Sequence, residues 1–129
     1  MSQMIDAWKD VVTKNYANFS GRLGLAGFWW FVLVNVVIEV VLMILSIAVH
    51  PIFFILYFGY ALAVLVPSIA AGIRRLHDTG KSGMFILLGL IPIVGPIILI
   101  VLFAQKSQAG DNAYGPALTG TSTPGIAPA

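Results

Sequence analysis

One carboxylate sits where a hydrocarbon interior would leave it without water. Glu39 is the single charge in the apolar window of residues 23–49. Asn35 lies one helical turn before it and Ser46 two turns after, so a helix sets all three on one face. A charge at mid-membrane costs about 3 kcal/mol or more. Such a group either handles protons or ions, or bonds a neighbouring helix. The windows at 51–73 and 84–104 contain no second ionisable group, which favours the bonding role. Antiparallel return of the chain at His50-Pro51 sets Tyr60 and Ala63 opposite Glu39. The candidate intramembrane polar stripe is therefore Asn35, Glu39, Ser46 and Tyr60.

A second concentration of chemistry lies at residues 74–83, Arg-Arg-Leu-His-Asp-Thr-Gly-Lys-Ser-Gly. Arg74, Arg75 and Lys81 supply cations, Ser82 a helix cap, and Asp78 a counter-charge. A guanidinium holds two phosphate oxygens through its planar fork, and a helix start offers free N–H groups. Arg74, Arg75, Asp78, Lys81 and Ser82 form a candidate anionic-lipid or loop site. The plainer role is setting topology, with Asp78 neutralising an arginine. His77-Asp78 suggests catalysis or metal binding, but no nucleophile or ligand cluster accompanies it. There is no cysteine, which excludes disulfides and thiolate chemistry. No catalytic, cofactor-binding or metal residue is assigned, and no cofactor is expected.

The elements that must position these groups are membrane helices. The chain is 59% hydrophobic and 9% charged, against about 25% charged in soluble domains. A crossing takes about 20 apolar residues, and a 129-residue soluble fold could not cover three such windows. The reading is an all-α membrane protein with an interfacial amphipathic N-terminal helix at 3–19 and spans at about 25–49, 52–73 and 84–105. Ile5, Trp8, Val12, Tyr16 and Phe19 make the apolar stripe of the first helix. Ser20 is expected to cap the first span. Gly59/Ala63 and Ser68/Gly72 are small-residue steps that let backbones approach. The third segment is broken at Pro92, Gly95 and Pro96, and a kinked full crossing is preferred to re-entry because each half is too short to span. Residues 1–117 read as one membrane domain, and 118–129 as a disordered tail. Lys and Arg cluster before the first span and between the second and third, which puts the N-terminus and the 74–83 loop in the cytoplasm. No cleavable signal is visible, so the first span is expected to act as its own targeting signal.

Three stretches together carry a resemblance: Phe19-Ser20-Gly21-Arg22 with Phe28-Trp29, the 74–83 run, and Gly110-Asp111-Asn112-Ala113-Tyr114-Gly115-Pro116. In this order and spacing the chain resembles the YhaH-like bacterial inner-membrane proteins, domain-of-unknown-function family 805. The resemblance implies a multi-pass protein of the bacterial inner (cytoplasmic) membrane and supplies no reaction. The 110–116 stretch has one acid, too few for a calcium loop, and reads as a turn anchoring the tail at the membrane surface through Tyr114. The functional expectation is a small non-enzymatic protein acting through protein or lipid contacts, as an accessory subunit or homo-oligomer. Its expected partners are membrane lipids and other membrane-protein subunits or itself, and no nucleic acid. The alternative is a small oligomeric channel or transporter using Glu39.

Overall fold

The computed structural model describes residues 2–116, so the expected disordered tail at 118–129 lies outside the described residues. The described residues are helical, with one isolated backbone bridge between Asn112 and Gly115. Helix α1 is Ser2–Val12, α2 Leu25–Ala48, α3 Phe53–Ala63 and α4 Leu65–Asp78. A 3-10 helix, Gly83–Leu90, and α5, Val94–Phe103, complete the order.

Helix α2 is apolar almost all round, and its 24 residues extend about 36 Å at 1.5 Å per residue. It starts after Gly24, which caps it without a side-chain bond, so Ser20 is not its cap. Helices α3 and α4 are nearly continuous through Val64, giving a second stretch, Phe53–Asp78, long and apolar enough to cross a membrane. The irregularity at Val64 has a local cause. Pro67 has no N–H to return to the carbonyl of Ala63, four residues earlier. That carbonyl instead accepts the Tyr16 hydroxyl at 2.7 Å. Val64 N still bonds Tyr60 O at 2.9 Å, and Ser68 N bonds Val64 O at 2.8 Å.

The first half of the expected polar loop at 74–83 is helix. Arg74 to Asp78 form the last buried turn of α4. The stop signal is Gly80, at φ +79°, a conformation that glycine adopts without strain. Its N–H bonds His77 O at 3.0 Å, and the Lys81 N–H bonds Leu76 O at 2.9 Å. This double closure is the Schellman arrangement.

Helix α1 lies along the first half of α2. Val11 packs with Phe28, Phe31 and Ala71, and Trp8, Leu23 and Phe103 close around them. The expected helix to residue 19 ends at Val12 and continues as turns.

The third apolar segment doubles back, which corrects the expected kinked crossing. Its 3-10 helix covers about 16 Å and α5 about 15 Å, each half of a 30 Å hydrocarbon core. Lys81 Nζ, before the segment, donates to Gln105 Oε1, after it, at 3.3 Å. Between them the chain turns at Ile91–Ile93, where Ile93 holds φ +66°. The two arms touch closely at Gly95, where an added Cβ would sit 1.8 Å from the Leu88 carbonyl oxygen. Gly72 serves the same purpose for the hairpin as a whole: its bare Cα meets Ile86 and Phe103, not α2. Gly59 faces open space.

Candidate functional site

The three stretches that carry the family resemblance meet in one buried ionic knot. Asp78 ends α4 with its side chain fully buried. Its Oδ1 accepts Arg22 Nε at 2.8 Å, and its Oδ2 accepts Arg75 Nη1 at 2.6 Å. The Ser107 hydroxyl donates to the same Oδ2. Arg22 reaches the site from the turn after Gly21, Arg75 from one turn earlier on α4, and Ser107 from the chain leaving α5.

Two cations and one anion leave a positive excess, and backbone carbonyls take it up. Arg22 Nη1 donates to Gly110 O at 2.9 Å and Gly115 O at 3.3 Å. Its Nη2 donates to Gln108 O at 2.7 Å and to Asp78 O at 3.3 Å. With Nε on Asp78, all five N–H groups of Arg22 face oxygens. Arg75 Nε donates to Phe103 O at 2.9 Å, Nη2 to Gln105 O, and Nη1 also to Leu23 O at 3.1 Å. Phe103 ends α5, where carbonyls lack helical partners and the helix dipole is negative. Arg75 therefore caps α5 while pairing with Asp78.

The 110–116 stretch closes the knot. The Asn112 amide donates to His77 O at 3.0 Å and to Gln108 Oε1 at 2.8 Å. Its own Oδ1 accepts Tyr114 N at 2.8 Å. Tyr114 lies flat on the His77 ring, with centroids 4.0 Å apart and planes 1° from parallel. His77 Nδ1 bonds Gly21 O at 2.9 Å. Tyr114 thus anchors the segment onto α4.

The candidate loop residues divide. Arg75 and Asp78 come together in the knot. Arg74, only 4% exposed, belongs elsewhere: its Nε and Nη2 have no hydrogen-bond partner among the described residues, and Asp10 of α1 is the carboxylate whose field it feels. Lys81 bonds Gln105, and Ser82 Oγ accepts Met84 N at 3.2 Å, capping the 3-10 helix.

The intramembrane stripe divides too. Asn35 and Tyr60 meet: the Tyr60 hydroxyl donates to Asn35 Oδ1, and the Trp8 indole N–H reaches both, at 3.2 and 3.1 Å. Ser46 turns back to its own helix, donating to Leu42 O at 2.6 Å. Glu39 is half-buried and makes no hydrogen bond or ion pair among the described residues. It shares with Tyr57 a cleft that Val36, Val40 and Met43 also line, while Tyr60 bonds Asn35, one turn earlier. The α2–α3 pairing is thus displaced by about one turn from the expected register.

Arg22, Ser107, Asn112 and Trp8 were absent from the candidate residues. Arg22 and Asn112 lie inside the family stretches, which was the available signal. Nothing in the sequence distinguishes Trp8 from an ordinary apolar-stripe residue.

Every oxygen of Asp78 is occupied, and among the described residues no group of three or more His, Cys, Asp or Glu could hold a metal ion. The geometry is that of a clasp. It joins residues 21–23, the end of α4, and the chain after α5.

A family model described as protein of unknown function (DUF805) matches residues 16–116, which contain all three stretches of the clasp. The chain belongs to this family. It is 36% identical over 108 residues to inner membrane protein YhaI of Escherichia coli (strain K12), covering 84% of this chain and 92% of that protein. It is 38% identical over 113 residues to inner membrane protein YhaH of the same strain, covering 84% and 93%. No solved structure matches the chain. With two helices long and apolar enough to cross a bilayer and these relatives, the chain is a membrane protein.

Proposed function

We propose that this chain is a non-enzymatic protein of the bacterial inner membrane that works through contacts with other membrane proteins or lipids. One observation carries the reading: the polar side chains that the family stretches bring together hold the fold, while the apolar faces stay open. Arg22, Arg75 and Asp78 have their polar atoms engaged with one another and with backbone. In contrast, Ile47 is 75% exposed, Ile55 71%, Leu62 71% and Leu90 79%. Such faces require lipid or protein cover.

The same reading gives the topology. The chain crosses twice, through α2 and through α3–α4. The 3-10 helix and α5 enter and return as a hairpin. Lys9, Lys14 and Arg22 before α2, with Arg74, Arg75 and Lys81 at the other end of the pair, favour a cytoplasmic N-terminus and clasp. Residues 107–116 then lie in the cytoplasm as well, because Ser107 and Asn112 bond α4.

Purification in mild detergent, with native mass spectrometry of retained proteins and lipids, tests the reading. Stoichiometric retention of a protein or lipid is expected. A bare monomer that nevertheless carries a proton or cation flux in liposomes, abolished in Glu39→Gln, refutes it in favour of transport.

A further inference from the structure

From the cleft between α2 and α3, we infer that the chain pairs with a second copy of itself through Glu39 and Tyr57. The inference rests on the membrane-contact reading and names its partner. The cleft holds about 120 Å³ and opens between Val36, Val40 and Met43, which are 49, 50 and 40% exposed. Two polar groups line it. The Glu39 carboxyl and the Tyr57 hydroxyl each lack a hydrogen bond among the described residues. Asn35 and Tyr60, one turn away, show the usual solution for polar groups inside a helix pair: they bond each other. Glu39 and Tyr57 face outward instead.

A carboxyl inside a membrane turns toward a protein partner or water in preference to lipid. The partner must offer a complementary group at the same depth. A second copy does so by symmetry. Copies inserted with one orientation can form a closed pair only about a two-fold axis along the membrane normal, and such a contact is isologous. The operation preserves depth. Glu39 and Tyr57 share one cleft, so each lies level with the other chain's complement. The Tyr57 hydroxyl of each copy then donates to the Glu39 carboxyl of the other, giving two equivalent bonds. The apolar rim of Val36, Val40 and Met43 packs around them. This pairing leaves the clasp untouched.

The absence of native cysteine makes the test direct. Val40→Cys, and separately Val36→Cys and Met43→Cys, are oxidised in native membranes at low expression. Ile98→Cys on the hairpin is the control. At least one rim variant should form a disulfide dimer, while the control should not. Adding Glu39→Leu should lower dimer yield about tenfold, the scale of losing two membrane hydrogen bonds. Glu39→Gln should keep most of it, because its carbonyl still accepts, and Tyr57→Phe should behave like Glu39→Leu. Each variant's detergent unfolding midpoint is measured alongside, so that misfolding is not read as lost pairing. No rim dimer, or dimers indifferent to both Glu39→Leu and Tyr57→Phe, overturns the pairing. A rim adduct formed only with a different protein overturns self-pairing and leaves the membrane-contact reading standing. Lack of any protein adduct, together with a purified monomer free of lipid and protein, overturns both.

Discussion

Replacing Asp78 with Asn tests the clasp at its centre. The substitution keeps size and shape and removes one negative charge. Arg22 and Arg75 then remain as two cations whose side chains are 1% and 0% exposed, opposite an amide that has only one acceptor oxygen. Removing one partner of a buried ion pair costs about 3–5 kcal/mol. Two cations lose the same partner, which pushes the loss upward. Seven backbone carbonyls still hold them, which limits it. A loss of about 3–5 kcal/mol is therefore expected, against a total of about 5–15 kcal/mol for a typical domain. The assay is equilibrium unfolding in mild detergent, with Asp6→Asn on the exposed face of α1 as control. The control should stay within about 0.5 kcal/mol of the parent. A double variant, Arg22→Met with Asp78→Asn, should lose less than the sum of its single changes, because the two residues share one interaction. An Asp78→Asn protein with the parent's midpoint, or strictly additive losses, would refute the reasoning.

Tyr16→Phe should cost about 1 kcal/mol by orphaning the Ala63 carbonyl. Pro67→Ala restores the helical N–H to that carbonyl, so Tyr16→Phe should matter less in its presence, as a double-variant unfolding cycle would report. Gly95→Ala should destabilise the hairpin by more than about 2 kcal/mol, since the added methyl meets backbone at Leu88 and overpacking against a fixed carbonyl costs about 1–3 kcal/mol or more. Faster proteolysis within residues 84–103 of the purified protein is the readout. Trp8→Phe should weaken the docking of α1 on α2 by about 0.6–1.7 kcal/mol, the range of interhelical hydrogen bonds in membranes. Trp29→Phe, whose indole makes no hydrogen bond among the described residues, is the matched fluorescence control.

The membrane helices were legible because they depend on one-dimensional quantities: length and apolarity. Residues 25–48 and the Phe53–Asp78 stretch stand out on those grounds alone. The last turn of α4 was hidden because Arg74 to Asp78 look like a solvated loop by composition. Their charges are buried only because Arg22 and the 107–116 chain arrive from elsewhere. Gly80 carried the missing signal, since a glycine two residues after Asp78 marks a helix end better than a loop interior. The doubling back of residues 83–103 runs against two arguments for a full crossing, the shortness of each arm and the backbone exposed at the turn. Two arms too short to cross are acceptable when a hairpin covers its own turn, and Gly72, Gly89 and Gly95 permit that packing. Among the site residues, Asp78 and Arg75 were visible as a local pair at i, i+3. Arg22 was not, because 56 residues separate it from Asp78. The stripe at Asn35, Glu39, Ser46 and Tyr60 was sound in helical phase. It could not say which of its members turn inward, because that depends on the stagger of α3 against α2.

The central claim is that the clasp brings both ends of the third apolar segment to one side of the membrane. The most direct measurement is a cysteine pair, Lys81→Cys with Gln105→Cys, in this cysteine-free chain. The two native side chains touch at 3.3 Å. In native membranes a short membrane-permeant bis-thiol cross-linker should join the pair within one chain, because cysteines lack the reach of the native side chains, and Asp78→Asn should lower the yield. A segment that crosses fully would hold the two cysteines about 30 Å apart on opposite faces. No intrachain cross-link, with Lys81→Cys and Gln105→Cys labelled from opposite sides, would contradict the account.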